Sequence, residues 1–262
     1  MDVFALSSRF FRGFFACLPD CVSYFICIAF VVAWFSATFP ALAQTAPRPL
    51  QVQNTMAQRA QACTGCHGKE GRATNAGYFP RIAGKPAGYL YNQLLNFREK
   101  RRHNPAMTSL IENLSDDFLR DLADYFAALD LPYPSAPTTT TSRAEMERGE
   151  KLIRTGDASK NIPACDQCHG AKLTGVLPAV PGLLGLSKDY LVAQLGSWQT
   201  GQRHAGVPDC MEKIASRLSP DDVGALTSWL SSQNLPVNAK PGGMLNPAQF
   251  SALAMPCGSG FK

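Results

Sequence analysis

Two copies of one short cysteine motif are the residues best suited to chemistry in this sequence. Each copy has two cysteines separated by two residues, followed directly by a histidine: Cys63, Cys66 and His67 in the first, and Cys165, Cys168 and His169 in the second. This spacing is typical of covalent haem attachment, in which the thiols add to the porphyrin vinyl groups and the imidazole ligates the iron. The sequence therefore predicts two covalently bound haem c groups.

Three other uses of paired cysteines fit the sequence less well. A thioredoxin-like dithiol needs a β-α-β context, which the sequence lacks, and has no use for the following histidine. Zinc ribbons place their cysteine pairs roughly 15–20 residues apart, whereas 98 residues separate Cys66 from Cys165. A disulfide within each motif would close a strained two-residue loop.

A second axial ligand is expected further along each copy. Met107 and Met211 follow the motif histidines by 40 and 42 residues, in the predicted loop between the middle and last helices. A thioether opposite an imidazole closes the iron coordination and raises the reduction potential, which suits electron transfer. His103 and His204 also repeat, so they are the alternative ligands.

The similarity between the two copies continues beyond the motifs, in the same order, for about 70 residues. The matching pairs are Phe79-Pro80 and Gly84 with Leu177-Pro178 and Gly182, Tyr89-Leu90-x-x-Gln93-Leu94 with Tyr190-Leu191-x-x-Gln194-Leu195, and Arg102-His103 with Arg203-His204. A long period seen only twice indicates a pair of globular modules rather than a solenoid.

Helical periodicity dominates both modules. A middle helix is predicted in each, over residues 89–97 and 190–198. Ser115 and Ser219 open the last helix of each module, because their hydroxyls can cap it and the following aspartates favour the positive end of the helix dipole. No segment alternates as a strand does, so we predict an all-α fold of two tandem, duplicated domains.

The repeat and the composition also divide the chain. We predict the first domain over residues 44–131, a Pro/Thr-rich extended linker over 132–141 and the second domain over 142–236. Ser142 and Glu145 form a capping box that opens the second domain with a helix. Residues 237–262 have little helical pattern, and we expect this tail to pack on the second domain.

The N-terminal residues have the pattern of a secretory signal peptide. Arg9 and Arg12 precede an uncharged stretch, residues 21–43, which ends in the small-x-small pattern of a cleavage site. We interpret residues 1–43 as a signal peptide and expect a periplasmic protein. An uncleaved membrane anchor is the alternative, since 23 uncharged residues are enough to span a bilayer.

Two cysteines remain after four are assigned to haem and three leave with the signal peptide. In an oxidising compartment we expect these two, Cys210 and Cys257, to form a disulfide. The bond would hold the tail against the ligand segment of the second domain. Two separate thiols are the alternative, and a lipid or intermolecular attachment through Cys257 is a third option.

Composition excludes several classes of protein. Hydrophobic residues make up 45% of the 262 residues and charged residues 17%, which is unlike a disordered chain. The net charge of +5 is far below that of a nucleic-acid binder. The one basic cluster, residues 98–102, precedes Met107; we expect it to attract an acidic partner face and to raise the potential of the first haem. A solvated helix end is the alternative.

The mature chain resembles the dihaem cytochrome c4-like family of class I c-type cytochromes over nearly all of residues 54–235. The resemblance rests on the two haem motifs, the two methionines and the two Tyr-Leu-x-x-Gln-Leu stretches. It implies two cytochrome c domains with facing haem edges. It also implies a periplasmic electron carrier, not an enzyme, with redox proteins as partners and no small-molecule substrate.

The resemblance implies a donor such as a quinol-oxidising complex or a dehydrogenase, and an acceptor such as a terminal oxidase. An electron-accepting haem subunit of a periplasmic dehydrogenase is the alternative, because its haem domains would look the same. A peroxidatic haem needs an open iron position, which Met107 and Met211 would close.

Overall fold

Helices joined by long loops make up nearly all of the regular structure in the computed structural model, which describes residues 53–74 and 77–259. The predicted signal peptide lies outside the described residues. Within the described ranges, no helix is long and apolar enough to cross a membrane.

The first domain is helical throughout its described part. Its helices are α1 (Met56–Arg59), α2 (Gln61–His67), α3 (Ala87–Arg98), α4 (Pro105–Ile111) and α5 (Asp116–Ala128), with a 3₁₀ turn at Lys69–Gly71. Helices α3 and α5 are the predicted middle and last helices. They enclose two small clusters of buried side chains, one centred on Leu122 and Phe126 and the other on Phe97 and Leu119.

The second domain repeats this order and adds a small ribbon. Its elements are α6 (Arg143–Arg154), a 3₁₀ turn (Ala158–Lys160), α7 (Cys165–His169), β1 (Gly175–Val176), β2 (Val180–Pro181), α8 (Lys188–Gln199), α9 (Cys210–Ala215), α10 (Pro220–Ser232) and, in the tail, α11 (Pro247–Ser251). The antiparallel pair β1–β2 was not expected from the sequence. Two residues per strand are too few for an alternating pattern to show.

The capping box predicted at the start of α6 forms only in half. The Ser142 hydroxyl accepts a hydrogen bond from the Glu145 amide, at 3.2 Å. The Glu145 carboxylate, however, accepts from the Ser228 hydroxyl of α10, at 3.1 Å. The carboxylate thus links α6 to α10. A complete box is present at the start of α10, between Ser219 and Asp222.

Helices α6 and α10 approach very closely at Gly149. A Cβ atom at this position would lie 2.3 Å from the Ala225 carbonyl oxygen, so only glycine permits the contact. Leu152 and Ile153 of α6 and Leu226 and Leu230 of α10 are buried in the largest hydrophobic cluster of the described residues. The close packing of α6 against α10 therefore forms a rigid core that supports the haem motif of the second domain.

The linker is fixed where it leaves the first domain. Arg81 donates to the carbonyl oxygens of Leu131, at 2.6 Å, and Pro132, at 3.2 Å. Its guanidinium also lies 3.7 Å from the centre of the Tyr133 ring. The ring also packs against Gly185 of the second domain. Residues 132–141 contain no helix or strand, as the sequence predicts.

The tail contacts both domains, which differs from the expectation that it packs on the second alone. Gly242 pairs with β1 of the second domain through the Gly175 carbonyl and the Leu177 amide. The structure joins Cys210 to Cys257, as the sequence predicts. Beyond the disulfide, the Ser259 carbonyl accepts from the Asn92 side chain of α3, at 2.9 Å. The tail therefore crosses from the second domain to the first.

Replacing Cys257 by serine is expected to release the tail. The closed loop spans 47 residues, and removing such a crosslink costs on the order of 3–4 kcal/mol in the chain-entropy picture. Denaturant unfolding measures this loss, and hydrogen exchange should show faster exchange at the Gly258 amide, which donates to Pro208. Unchanged exchange across residues 244–259 would show that other contacts hold the tail. Ser251→Ala, in the exposed helix α11, is the matched control.

Candidate haem sites

Both cysteine motifs lie on short helices that end at a glycine. Gly68 and Gly170 follow the motif histidines with φ of 76° and 83°, a left-handed conformation that glycine adopts without strain. A Cβ atom on Gly68 would lie 2.2 Å from the Ala73 carbonyl oxygen, so the chain turns sharply there. One helical turn places both thiols and the imidazole of each motif beside one another.

The two motif histidines are oriented in the same way. The Nδ1 atom of His67 lies 2.8 Å from the Pro80 carbonyl oxygen, and that of His169 lies 2.8 Å from the Pro181 carbonyl oxygen. Burial lowers the pKa of both imidazoles, although the carbonyl contact opposes this. Each ring is therefore neutral with Nδ1 protonated, which leaves Nε2 as the ligand atom.

These carbonyls also correct the alignment of the repeat. Pro80 corresponds in role to Pro181, three residues beyond the Pro178 that the sequence comparison paired with it. Gly84 likewise corresponds to Gly185, with φ of 73° and 71°. These pairs lie 101 residues apart, one fewer than the 102 residues between the two motifs, so the second domain is one residue shorter between its motif and this point. The register then agrees with the Tyr89 and Tyr190 match.

The four motif thiols are free, and burial acts on three of them. None of Cys63, Cys66, Cys165 and Cys168 forms a disulfide. Burial raises the pKa of Cys63 and Cys168, and it raises that of Cys165 to about 12. A redox dithiol needs a thiol with a lowered pKa, so the environment of these thiols disfavours that use. Free thiols beside an apolar cavity suit thioether attachment to a cofactor.

A single cavity of about 540 Å³ connects the two motifs across the domain boundary. All eight predicted site residues line it: Cys63, Cys66, His67, Met107, Cys165, Cys168, His169 and Met211. The rest of the wall is mainly aliphatic and aromatic, with Leu, Ile and Phe side chains from both domains. The cavity is therefore mainly apolar, and its wall also carries the imidazoles, thioethers and thiols of the predicted site residues.

Each methionine lies on a short helix, not in the loop that the sequence predicts. The Asn104 side chain caps α4 by accepting from the Met107 amide, at 3.1 Å. In α9 the Asp209 carboxylate accepts from the amides of Glu212, at 3.1 Å, and Ala205, at 2.6 Å. These caps fix the direction of the helix and hence of the thioether.

The alternative ligands, His103 and His204, are placed less favourably than the two methionines for binding an iron in the cavity. His103 is exposed to solvent at the edge of the cavity. The His204 ring lies within 4.8 Å of carboxylate oxygens of Asp209 and Glu212, and it is absent from the described wall of the cavity. The geometry favours the thioethers over the imidazoles as second ligands.

Between the two domains lies a polar cluster built from the repeated Gln and Arg residues. Arg102 donates to Gln93, at 3.0 Å, and across the boundary to Gln194, at 2.7 Å. Arg203 mirrors it, donating to Gln194 at 2.8 Å and to Gln93 at 3.1 Å. The backbones of the two arginines also pair in an antiparallel bridge. The cluster ties the domains together and lines the cavity with positive charge.

An unpaired polar atom in the cavity wall indicates the kind of group that belongs there. The indole Nε1 of Trp198 is buried and has no hydrogen-bond partner among the described residues. Trp198 lines the cavity, and Arg203 stacks on its ring at 3.8 Å. A buried donor of this kind requires an acceptor. The carboxylates of a haem supply acceptors and negative charge, so the residues present fit two haem groups.

Comparison with known proteins identifies the family. The chain is 36% identical to the thiosulfate dehydrogenase electron acceptor of Thiomonas intermedia, over 67% of this chain and 80% of that protein. It is 33% identical to cytochrome c4 of Pseudomonas aeruginosa, over 66% and 84% of the two chains. The chain belongs to the dihaem cytochrome c4-like family. No protein-family model matches it.

Solved structures agree with this assignment. The dihaem cytochrome c4 of Pseudomonas stutzeri matches with a TM-score of 0.60 and 30% identity, over 68% of this chain and 97% of that one. The thiosulfate dehydrogenase TsdBA of Marichromatium purpuratum matches with a TM-score of 0.59 and 33% identity, over 66% of this chain. This chain spans only 36% of TsdBA. The protein is therefore an all-α dihaem cytochrome that carries two haem c groups and transfers electrons to and from redox proteins.

Sequence reasoning predicted a ligand set but missed the polar residues around it. Gln93, Gln194 and the two arginines were visible as repeats, yet nothing in their spacing assigned them to the domain boundary. Trp198 corresponds to Phe97 in the first domain, and only its buried, unpaired indole Nε1 shows that the two differ in function.

Proposed function

We propose that each domain holds one haem through its two motif thiols, with His67 and Met107 as axial ligands in the first domain and His169 and Met211 in the second. The haem supplies a one-electron change between ferric and ferrous iron. The protein orients the imidazoles through the carbonyls of Pro80 and Pro181 and excludes water with an apolar wall. The domain limits are 44–131 and 142–236, after a signal peptide that directs the chain to the periplasm.

The proposed electron donor is a periplasmic dehydrogenase that oxidises a small inorganic sulfur anion. The observation that carries this is the name of two relatives, at 36% and 37% identity, as electron acceptors of thiosulfate dehydrogenase. The similarity to TsdBA, a thiosulfate dehydrogenase, supports it. The proposed acceptor is a terminal oxidase or another cytochrome.

The second candidate is a carrier between a quinol-oxidising complex and an oxidase. The relatives named cytochrome c4, at 31% to 33% identity, favour it. The two candidates share the same haem chemistry and differ only in the donor. A direct comparison of donors separates them.

Electrons are proposed to enter through the first domain. Tyr78 and Leu110 line the cavity there and remain 58% and 44% exposed, so they form an apolar rim. The cavity wall also includes the tail residues Met255 and Cys257, and Cys257 is joined to Cys210 of the second domain. An exposed apolar rim is a suitable centre for a transient interface.

The basic segment contributes less charge to this interface than its sequence indicates. Arg98 pairs with Asp116, at 2.6 Å, and Arg101 pairs with Glu99. Arg102 is buried at the domain boundary. Lys100 is left exposed, so we expect association with an acidic partner to weaken only modestly as salt rises.

The test is the rate at which purified thiosulfate dehydrogenase, given thiosulfate, reduces the haems. Leu110→Glu is expected to slow this reduction about tenfold or more, because it buries a charge in an apolar contact. Val207→Glu, on the ligand segment of the second domain and 88% exposed, should change the rate little. Reduction by a quinol-oxidising complex but not by the dehydrogenase would establish the second candidate, and equal effects of both variants would contradict entry through the first domain.

A further inference from the structure

Lys85 is the most unusual buried charge in the described structure. It follows Gly84 in the first domain, its side chain lines the cavity, and the residue is only 5% exposed. Its ammonium group donates to the Gly182 carbonyl oxygen of the second domain, at 3.2 Å. Lys85 therefore crosses the boundary and places a positive charge beside the haem motif of the other domain.

The ammonium group has more donors than the protein satisfies. It carries three N–H groups, and the Gly182 carbonyl is its one hydrogen-bond acceptor among the described residues. No carboxylate of those residues pairs with it, and Arg81 nearby adds repulsion. A lysine is almost never fully buried without a partner. An anion in the cavity would supply the missing partner.

Such an anion would lie beside the haem motif of the second domain. Gly182 directly follows Pro181, whose carbonyl oxygen orients His169. In the corrected register Lys85 corresponds to Leu186, so the second domain offers no equivalent cation to the first.

We propose that Lys85 is a positioning residue for the second haem: its ammonium group pairs with a carboxylate of that haem and stabilises its reduced state. This rests on the proposed ligation of that haem by His169. A fixed positive charge favours the state that has gained an electron, so the second haem is the preferred resting place of an electron that enters through the first domain.

We therefore expect the second haem, and not the first, to have the higher reduction potential. The expectation of a raised potential for the first haem rested on residues 98–102, where Arg98 and Arg101 are neutralised by acidic neighbours. Arg102 and Arg203 occupy equivalent places and contribute similarly to both domains. Lys85 has no charged counterpart in the second domain, so its charge raises the reduction potential of the second haem relative to that of the first.

The experiment is a reductive titration of the intact protein, in which the methyl NMR resonances of each haem give its midpoint potential. Lys85→Met, which keeps the length but removes the charge, should lower the midpoint of the second haem and change that of the first much less. Lys85→Arg keeps the charge and should retain the wild-type difference between the two haems. Lys172→Met removes an exposed charge near the same motif and is the matched control.

An unchanged difference between the two midpoints in Lys85→Met, or an equal shift in Lys172→Met, would overturn the proposal. So would loss of the first haem alone or of both haems. Loss of only the second haem from Lys85→Met, with both haems retained in Lys85→Arg, would support it, because attachment of that haem would then require the charge. The measurement uses no partner protein, so its failure is distinct from a failure of the proposed donor.

Discussion

A chain carrying Met211→Ala is expected to lose the near-infrared sulfur-to-iron band of one haem and to retain that of the other. Removing the thioether opens the iron, lowers the midpoint potential of that haem and lets it bind carbon monoxide. The Met107→Ala variant should do the same to the first haem. Absorption of the oxidised protein and carbon monoxide difference spectra measure both effects.

The control for this pair of variants is Met244→Ala. Met244 lies in the tail and is largely exposed, so its replacement should leave both bands unchanged. If His204 were the ligand, the Met211→Ala protein would keep its spectrum and resist carbon monoxide. A spectrum with no sulfur-to-iron band in the unaltered protein would reject methionine ligation for both haems.

The Asp222→Asn variant is expected to lose on the order of 3 kcal/mol of folding stability. The carboxylate is 1% exposed and caps α10 by accepting from the Ser219 amide, at 3.0 Å. It also accepts from Arg148, at 2.5 Å, and from Lys160, at 2.6 Å. One substitution thus removes the charge on which both cations depend.

The same carboxylate gives the protein a defined sensitivity to acid. Burial alone would raise the pKa of Asp222, but the hydrogen bonds from Lys160, Ser219 and Arg148 outweigh it and hold the pKa well below its usual range. Because the folded pKa is lowered, this stabilisation is complete above about pH 4–5 and is lost as the pH falls.

Denaturant unfolding at several pH values measures both effects. The Asp222→Asn protein should lose part of the wild-type dependence of stability on pH below about 5. Asp221→Asn, the exposed neighbour in the same helical turn, should cost less than about 1 kcal/mol. Equal losses in the two variants would show that the helix dipole, not the buried network, carries the stability.

The sequence by itself determined the haem motifs, the duplication and the pair of leftover cysteines. Each of these depends on residues close together in the chain or on identity between two copies. Cys-x-x-Cys-His is a local geometry that one helical turn suffices to build. Met107 and Met211 could be predicted as ligands because the duplication gave two counts that supported each other.

Only the tertiary structure decided how the two copies differ. The sequence comparison paired Gly84 with Gly182, three residues before its counterpart Gly185, and this hid the correspondence of Lys85 with Leu186. The two-residue strands of the β1–β2 ribbon leave no pattern that sequence analysis could detect. In the sequence, Lys85 cannot be told apart from an ordinary surface lysine. Only packing against the second domain buries it. The Glu145 carboxylate accepts from Ser228 instead of completing the cap of its own helix, and Ser259 of the tail accepts from Asn92. In both cases, packing between segments distant in sequence outweighs the local conformational preference. Burial and charge at a boundary are properties of two surfaces together, and one chain segment does not specify them alone.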